Sequence, residues 1–432
     1  NEQARRKYAE NSRGLEKARQ WLQEQDPAPL IACWTWTLVL IERSLHTNRM
    51  RGWIAAGMLI AIGILAKYTM VLIAPVVLLT LMMAPRLRNR LRQPGIYVCA
   101  AIGLTGFVPI LIWNMQHGWV SFRHMAGQAG VGGAGLRPLG LLEYVAGQAI
   151  VLNPFWLLLL APAIGEWLRR PAARADETHS EHSMRYLLSA AIVPWLFFVP
   201  FSFVTKIQPN WPAPATIAAI PLVIGWGRRR MKNTDSLVAF RSTLITGAAT
   251  GLLTGLVLHR TELLLPLLRF AARAAPSWEL TPAAKFDPTS RLRGWSKLAA
   301  IDGILAHEAA DGRDPFIMTD DYQLASQIAF YCPSHPRVFC AQAALGQRQS
   351  QYDIWPNPIR DAEQFIGRTC IYVGQLDARV TEEGGKHAAL PGLRKIATIE
   401  HFVDGLRYQL WPVFACDAYA GFSVPSDRHT RY

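Results

Sequence analysis

The chain has 432 residues, 51% of them hydrophobic and 18% charged, with 15 tryptophans and a formal net charge of +14. Its mean hydropathy is +0.12, more apolar than an ordinary soluble domain. The basic excess sits in short clusters between apolar runs rather than on one face, which argues against a nucleic-acid partner. The six cysteines show no C-x-x-C or Cys/His spacing, so no metal ligand set is expected.

Residues 1–28 are highly charged and helix-prone, and read as a surface helix or a disordered tail. The first methionine is Met50 and no signal peptide is visible, so a piece of a longer protein, or one processed at its start, is expected. A membrane region is predicted over 29–259. It divides into eight apolar segments: Pro29–Ile41, Trp53–Ala66, Thr69–Ala84, Ile96–Trp113, Leu139–Trp167, Tyr186–Val204, Pro212–Trp226 and Leu244–Leu258. Crossing about 30 Å of hydrocarbon takes about 20 helical residues, so the shorter segments must recruit their flanks.

The intervening loops carry an independent signal, because Arg and Lys favour the cytoplasmic side of short loops. Arg43, Arg49 and Arg51 follow the first segment, and Arg86, Arg88, Arg90 and Arg92 the third. Arg169, Arg170, Arg174 and Arg185 follow the fifth, and Arg228, Arg229, Arg230, Lys232 and Arg241 the seventh. The other loops hold only Lys67, Arg123, Arg137 and Lys206. The alternation places Lys67, the stretch from Trp113 to Arg137, and "TKIQPNWP" on the outer side, together with everything after Arg260.

Residues 260–432 read as a small extracytoplasmic α/β domain. "RLRGWSKLAAIDGILAHEAA" has the pattern of an amphipathic helix, and "PFIMTD" of a strand leading into the helix "DYQLASQIAFYC". "RVFCA" and "TCIYVG" read as strands, and "KIATIEHFV" with "RYQLWPVFA" as a closing hairpin. Cys332, Cys340, Cys370 and Cys416 lie here, either as thiols or as disulfide partners.

The outer loops hold the residues that could carry chemistry. "WNMQHGWVSFRH" mixes aromatics with an amide, two histidines and an arginine, and "EYVAGQAIVLNP" and "TKIQPNWPAPA" add Glu143, Gln148, Asn153, Lys206, Gln208 and Asn210. Two readings are open for each. Tryptophans form interfacial belts in any membrane protein, and Lys67 and Lys206 can snorkel to headgroups. Yet polar groups near bilayer depth tend to line a cavity. Cations there suit a phosphate and aromatics suit a sugar ring or a prenyl chain. His124 reads as surface polarity, and the glycine run before Leu136 as a mobile loop.

"ILAKYTMVLIAPVVLL", "PILIWNMQHGWVSF", "EYVAGQAIVLNP" and "KIQPNWPAPA" resemble successive landmarks of the bacterial family 39 membrane glycosyltransferases. These are relatives of the dolichyl-phosphate-mannose protein mannosyltransferases. "TDDYQLASQIAFYCP" and "QSQYDIWP" are similar to the C-terminal domain of one branch. The resemblance implies a GT-C fold in the inner membrane, with about eight transmembrane helices here. It implies transfer of a sugar from a polyprenyl-phosphate carrier to a lipid, glycan or protein, with no cofactor. By that resemblance Lys67 and Lys206 would contact the phosphate. Tyr68, Trp113, Asn114, His117, Trp119 and Trp211 would shape the sugar or carrier pocket. Gln148, Asn153, Gln208 and Asn210 would hydrogen-bond oxygens.

By that resemblance the chain is expected to start downstream of the family's first helix and its acidic outer loop. Asp26, in "QEQDPAPLIACW", stands one position out of step with a later family aspartate, and Glu143 is a carboxylate in an outer loop. These two are the weak candidates for the base, and the chain alone is expected to be inactive. The alternative is a non-catalytic carrier-lipid-binding or transport protein on the same scaffold.

Overall fold

In the computed structural model the described residues are 28–128, 135–170, 179–231, 233–260, 263, 266, 293–310, 312–346, 350–376, 389–403 and 406–422. Asp26, the segment 1–27 and most of the glycine run lie outside them. The chain divides into two compact units, one formed by Glu24–Leu253 and the other mainly by Thr254–Tyr432.

The first unit is helical. Its elements are α1 (Ala28–Thr47), α2 (Met50–Ala66), a 3-10 turn (Tyr68–Leu72) running into α3 (Ile73–Met83), α4 (Pro94–Leu104), α5 (Phe107–Gln116) and α6 (Val120–Gln128). Then come α7 (Gly140–Leu152), α8 (Pro154–Arg169), α9 (His179–Ser202), α10 (Ala213–Arg230) and α11 (Thr234–His259). Large side chains such as Trp34, Trp53, Trp167 and Tyr186 fill the interior. The outer faces of α5 and α11 present Val108, Ile112, Met115, Ile245, Leu252 and Leu253, all exposed. Water would not tolerate apolar faces of this extent, but hydrocarbon does.

Each of the eight apolar segments falls on helix, but eight crossings are not what lengths and composition give. Among the described residues, three spans are long and apolar enough: Pro94–Gln116, His179–Ser202 and Thr234–Val257. Met50–Ala66 and Tyr68–Met83 are apolar but shorter. The fifth segment is two helices, α7 and α8, bent by 109°. Asn153 and Pro154 make the break. Asn153 has φ 68°, its side chain accepts from the Phe155 N–H, and Pro154 starts α8 where a missing N–H costs nothing.

The second unit is built on a five-stranded mixed sheet. Strands β1 (Phe316–Thr319), β2 (Val338–Cys340), β3 (Cys370–Val373), β4 (Arg394–Val403) and β5 (Leu406–Cys416) are ordered β2-β1-β3-β5-β4. β1 runs parallel to β2 and β3, while β5 is antiparallel to β3 and β4. The amphipathic stretch becomes a 3-10 turn (Trp295–Ala300) and α12 (Ile301–Ala310), and α13 (Tyr322–Tyr331) joins β1 to β2. Asp321 caps α13 by accepting from the Gln323 and Leu324 N–H groups. Cys332, Cys340, Cys370 and Cys416 are buried free thiols, although Cys370 and Cys416 face each other across β3 and β5.

Gly294 opens the turn Trp295–Ala300 with φ 83°, and a Cβ there would lie 2.6 Å from the His401 ring. Gly294→Ala therefore meets a left-handed backbone and an overlap with β4 together. It should destabilise the unit by about 2–4 kcal/mol, read as a lowered midpoint in urea followed by tryptophan fluorescence.

Candidate functional site

The sequence-predicted residues gather in two groups. The first forms around the turn between α5 and α6. Asn114 is fully buried. Its Nδ2 donates to the Ile110 carbonyl at 2.9 Å and its Oδ1 accepts from the Ser121 N–H at 3.1 Å. Its own carbonyl accepts from the Trp119 N–H at 2.8 Å. One amide thus staples two helices across a turn in which Gly118 and Trp119 take φ 64° and 62°. A left-handed tryptophan is held only because its neighbours fix it.

That turn displays aromatic surface. The His117 ring stacks on Trp113 at 4.3 Å with 11° between planes, and its Nδ1 lies 2.8 Å from the Trp113 carbonyl. Trp119 is 44% exposed and leans on Phe122 at 5.7 Å. Phe122 in turn stacks on Tyr68 at 6.0 Å with 5° between planes. Tyr68 follows Lys67, where α2 ends in extended backbone. Lys67 is half-buried, and among the described residues its ammonium has no hydrogen-bond or ion-pair partner.

The second group joins α7, α9 and the loop 203–212. A Cβ on Gly140 would sit 1.9 Å from the Ser202 carbonyl, so only glycine lets the start of α7 approach the end of α9 this closely. The Arg137 N–H donates to the Phe203 carbonyl at 2.8 Å. The Tyr144 hydroxyl donates to the Trp195 carbonyl at 2.9 Å. Gln148 is buried and uses both ends of its amide: Nε2 donates to the Pro209 carbonyl at 2.9 Å and Oε1 accepts from Trp195 Nε1 at 3.1 Å. Ile207 packs inward with Tyr144 and Phe198, and Trp211 lies 5.6 Å from Phe198. With Ile207 and Pro209 pinned, Lys206, Gln208 and Asn210 are left exposed. Among the described residues their side chains have no partner.

Asn153 stands apart from both groups. Its Nδ2 donates to the Gly247 carbonyl at 3.2 Å and to Thr250 Oγ1 at 2.7 Å, tying the bend to α11. Glu143 is exposed and paired with Arg137 at 2.7 Å. The sequence reading missed Tyr144, Trp195 and Phe122. Tyr144 and Phe122 lie inside the quoted motifs, but Trp195 sits among apolar residues and carries no local signal.

A family model described as dolichyl-phosphate-mannose-protein mannosyltransferase matches residues 20–113. The comparisons support a GT-C glycosyltransferase family. The matched span holds Lys67, Tyr68 and Trp113, whereas Gln148 and Lys206 lie beyond it. The lipid A galacturonosyltransferase RgtD of Rhizobium johnstonii is 25% identical over 168 residues, covering 39% of this chain and 33% of that protein. The chain therefore aligns with about a third of the length of that relative. No solved structure matches.

Gln148→Leu keeps the volume but strips Trp195 Nε1 and the Pro209 carbonyl of their partner. An unmet buried polar group costs about 1–3 kcal/mol. The variant should show a lower melting temperature, and its loop 203–212 should become measurably easier to cleave with protease than in the parent.

Proposed function

We propose that this GT-C-like chain handles a polyprenyl-phosphate-linked sugar at the outer face of the bacterial inner membrane, passing the sugar to a lipid, glycan or protein acceptor. One observation carries the reading: the polar residues of the outer loops divide into spent and unspent. The amides of Asn114, Gln148 and Asn153 are consumed inside the protein. Lys67, Lys206, Gln208 and Asn210 are not; Lys67 precedes Tyr68, which stacks on Phe122, and Asn210 precedes the half-buried Trp211. Cations and amides left without partners at an apolar boundary suit an anionic head on a hydrocarbon tail.

The packing supports placing the two lysines at one end of the helical unit. α3 packs on α9, and Ser189 Oγ lies 3.9 Å from Met83 Sδ at the far end of α3. From Ser189 to Ser202 is about 20 Å of helix, and α3 is about 16 Å long. With α3 running inward and α9 outward, Lys67 before α3 and Lys206 after α9 face the same side.

In the reaction the acceptor oxygen attacks the anomeric carbon. The bond from that carbon to the phosphate oxygen breaks, and its electron pair leaves with the phosphate. Lysine ammonium groups would hold the charge that builds there, while the acceptor proton passes to a base. Tyr68, Trp113, His117, Trp119 and Trp211 would flank the sugar or the first isoprene units.

Lys206→Ala removes one charge-assisted contact and should weaken polyprenyl-phosphate binding by about 10- to 100-fold, measured by titrating the lipid into purified protein in detergent. Lys67→Ala should do the same. Unchanged lipid affinity in both variants would remove the basis for this assignment.

A further inference from the structure

The other end of α9 carries a cluster that the donor site does not use. α9 has 24 residues, so its start lies about 36 Å from its end, far from Lys206. There His179 meets the last turns of α1. Glu42 Oε1 is 3.6 Å from His46 Nε2 and 3.8 Å from His179 Nε2. One ligand atom from each of the three residues lies within 4.8 Å of the others. The two imidazoles stand edge to face with centroids 3.6 Å apart.

We propose that Glu42, His46 and His179 form a divalent transition-metal site, zinc by chemistry, that clips α1 to α9. The distances exceed those of a hydrogen bond. Four ligands at about 2.0–2.2 Å in a tetrahedron have edges of about 3.3–3.6 Å; the 3.6 Å pair falls at that limit and the 3.8 Å pair lies just beyond it. The donor set of one carboxylate and two imidazoles suits zinc and leaves the fourth position to water. Glu42 and His46 are four residues apart, so both lie on one face of α1.

The surroundings hold the ligands in place. Ser183 Oγ lies 2.6 Å from Glu42 Oε1. Arg90 donates to the Leu45 carbonyl at 2.7 Å and the His46 carbonyl at 3.0 Å, fixing the last turn of α1. Arg90 spends its guanidinium on carbonyls, and Glu181 takes Arg170 and Arg229, so neighbouring charges have partners of their own. His182, one turn after His179, lies behind His46 with ring centroids 6.0 Å apart. The sequence concealed this cluster because more than a hundred residues separate His46 from His179.

The test uses untagged full-length chain in detergent, stripped with a chelator and titrated with Co(II). About one Co(II) should bind per chain, with the visible absorption of a four- or five-coordinate ion, and Zn(II) should displace it. Glu42→Gln and His179→Ala should each weaken binding at least about tenfold and abolish that spectrum. Ser183→Ala should weaken it by about tenfold with the spectrum retained. His179 is 64% exposed, so its loss leaves folding intact, and His307→Ala controls for stray histidine binding. No stoichiometric Co(II) uptake, or a His179→Ala variant that binds like the parent, would overturn the assignment.

Discussion

The buried Gln148 amide, held between Trp195 and the Pro209 carbonyl, is the constraint on which the packing of loop 203–212 depends. A loop that re-enters an apolar region carries peptide groups that water cannot reach, and each must find a partner inside the chain. Prolines make this harder, since they supply a carbonyl but no N–H. Gln148 resolves it by accepting from an indole on one side and donating to a proline carbonyl on the other. The same device recurs at Asn114, which staples α5 to α6, and at Asn153, which ties the α7–α8 bend to α11.

Once those amides are committed, the loop residues between the pins have no internal work left. Ile207 turns in and Lys206 and Gln208 turn out, because alternate residues of an extended stretch face opposite sides. A glycine at 140 permits the close approach that fixes the loop's first anchor. The exposed polar residues are thereby presented by backbone that is itself well tied down, so that ordering it on contact with a partner would carry little entropic cost.

The opposite end of the helical unit is organised by charge rather than by amides. Arg170 lies 4.6 Å over the Trp167 ring and Arg229 5.4 Å from it, and both pair with Glu181. Trp226 Nε1 donates to Glu166 at 2.8 Å. Two members of the basic clusters, Arg170 and Arg229, are thus folded into a network with glutamates and a tryptophan. The Glu42–His46–His179 group sits among them.

Hydropathy is a local property, so the sequence by itself placed each of the eight apolar segments on helix. Short apolar runs likewise marked the strands β1, β2 and β3, which are buried along their whole length. The tertiary structure alone decided that the fifth apolar segment breaks at Asn153. It also decided which of seven look-alike polar residues are brackets and which are free. Asn114 and Asn210 have the same chemistry, yet one is sealed between helices and the other faces out. That difference arises from the partners Asn114 meets, the Ile110 carbonyl and the Ser121 N–H, once α5 and α6 close on each other. Residue type and spacing record what a side chain can bond, whereas only chain closure determines what it meets.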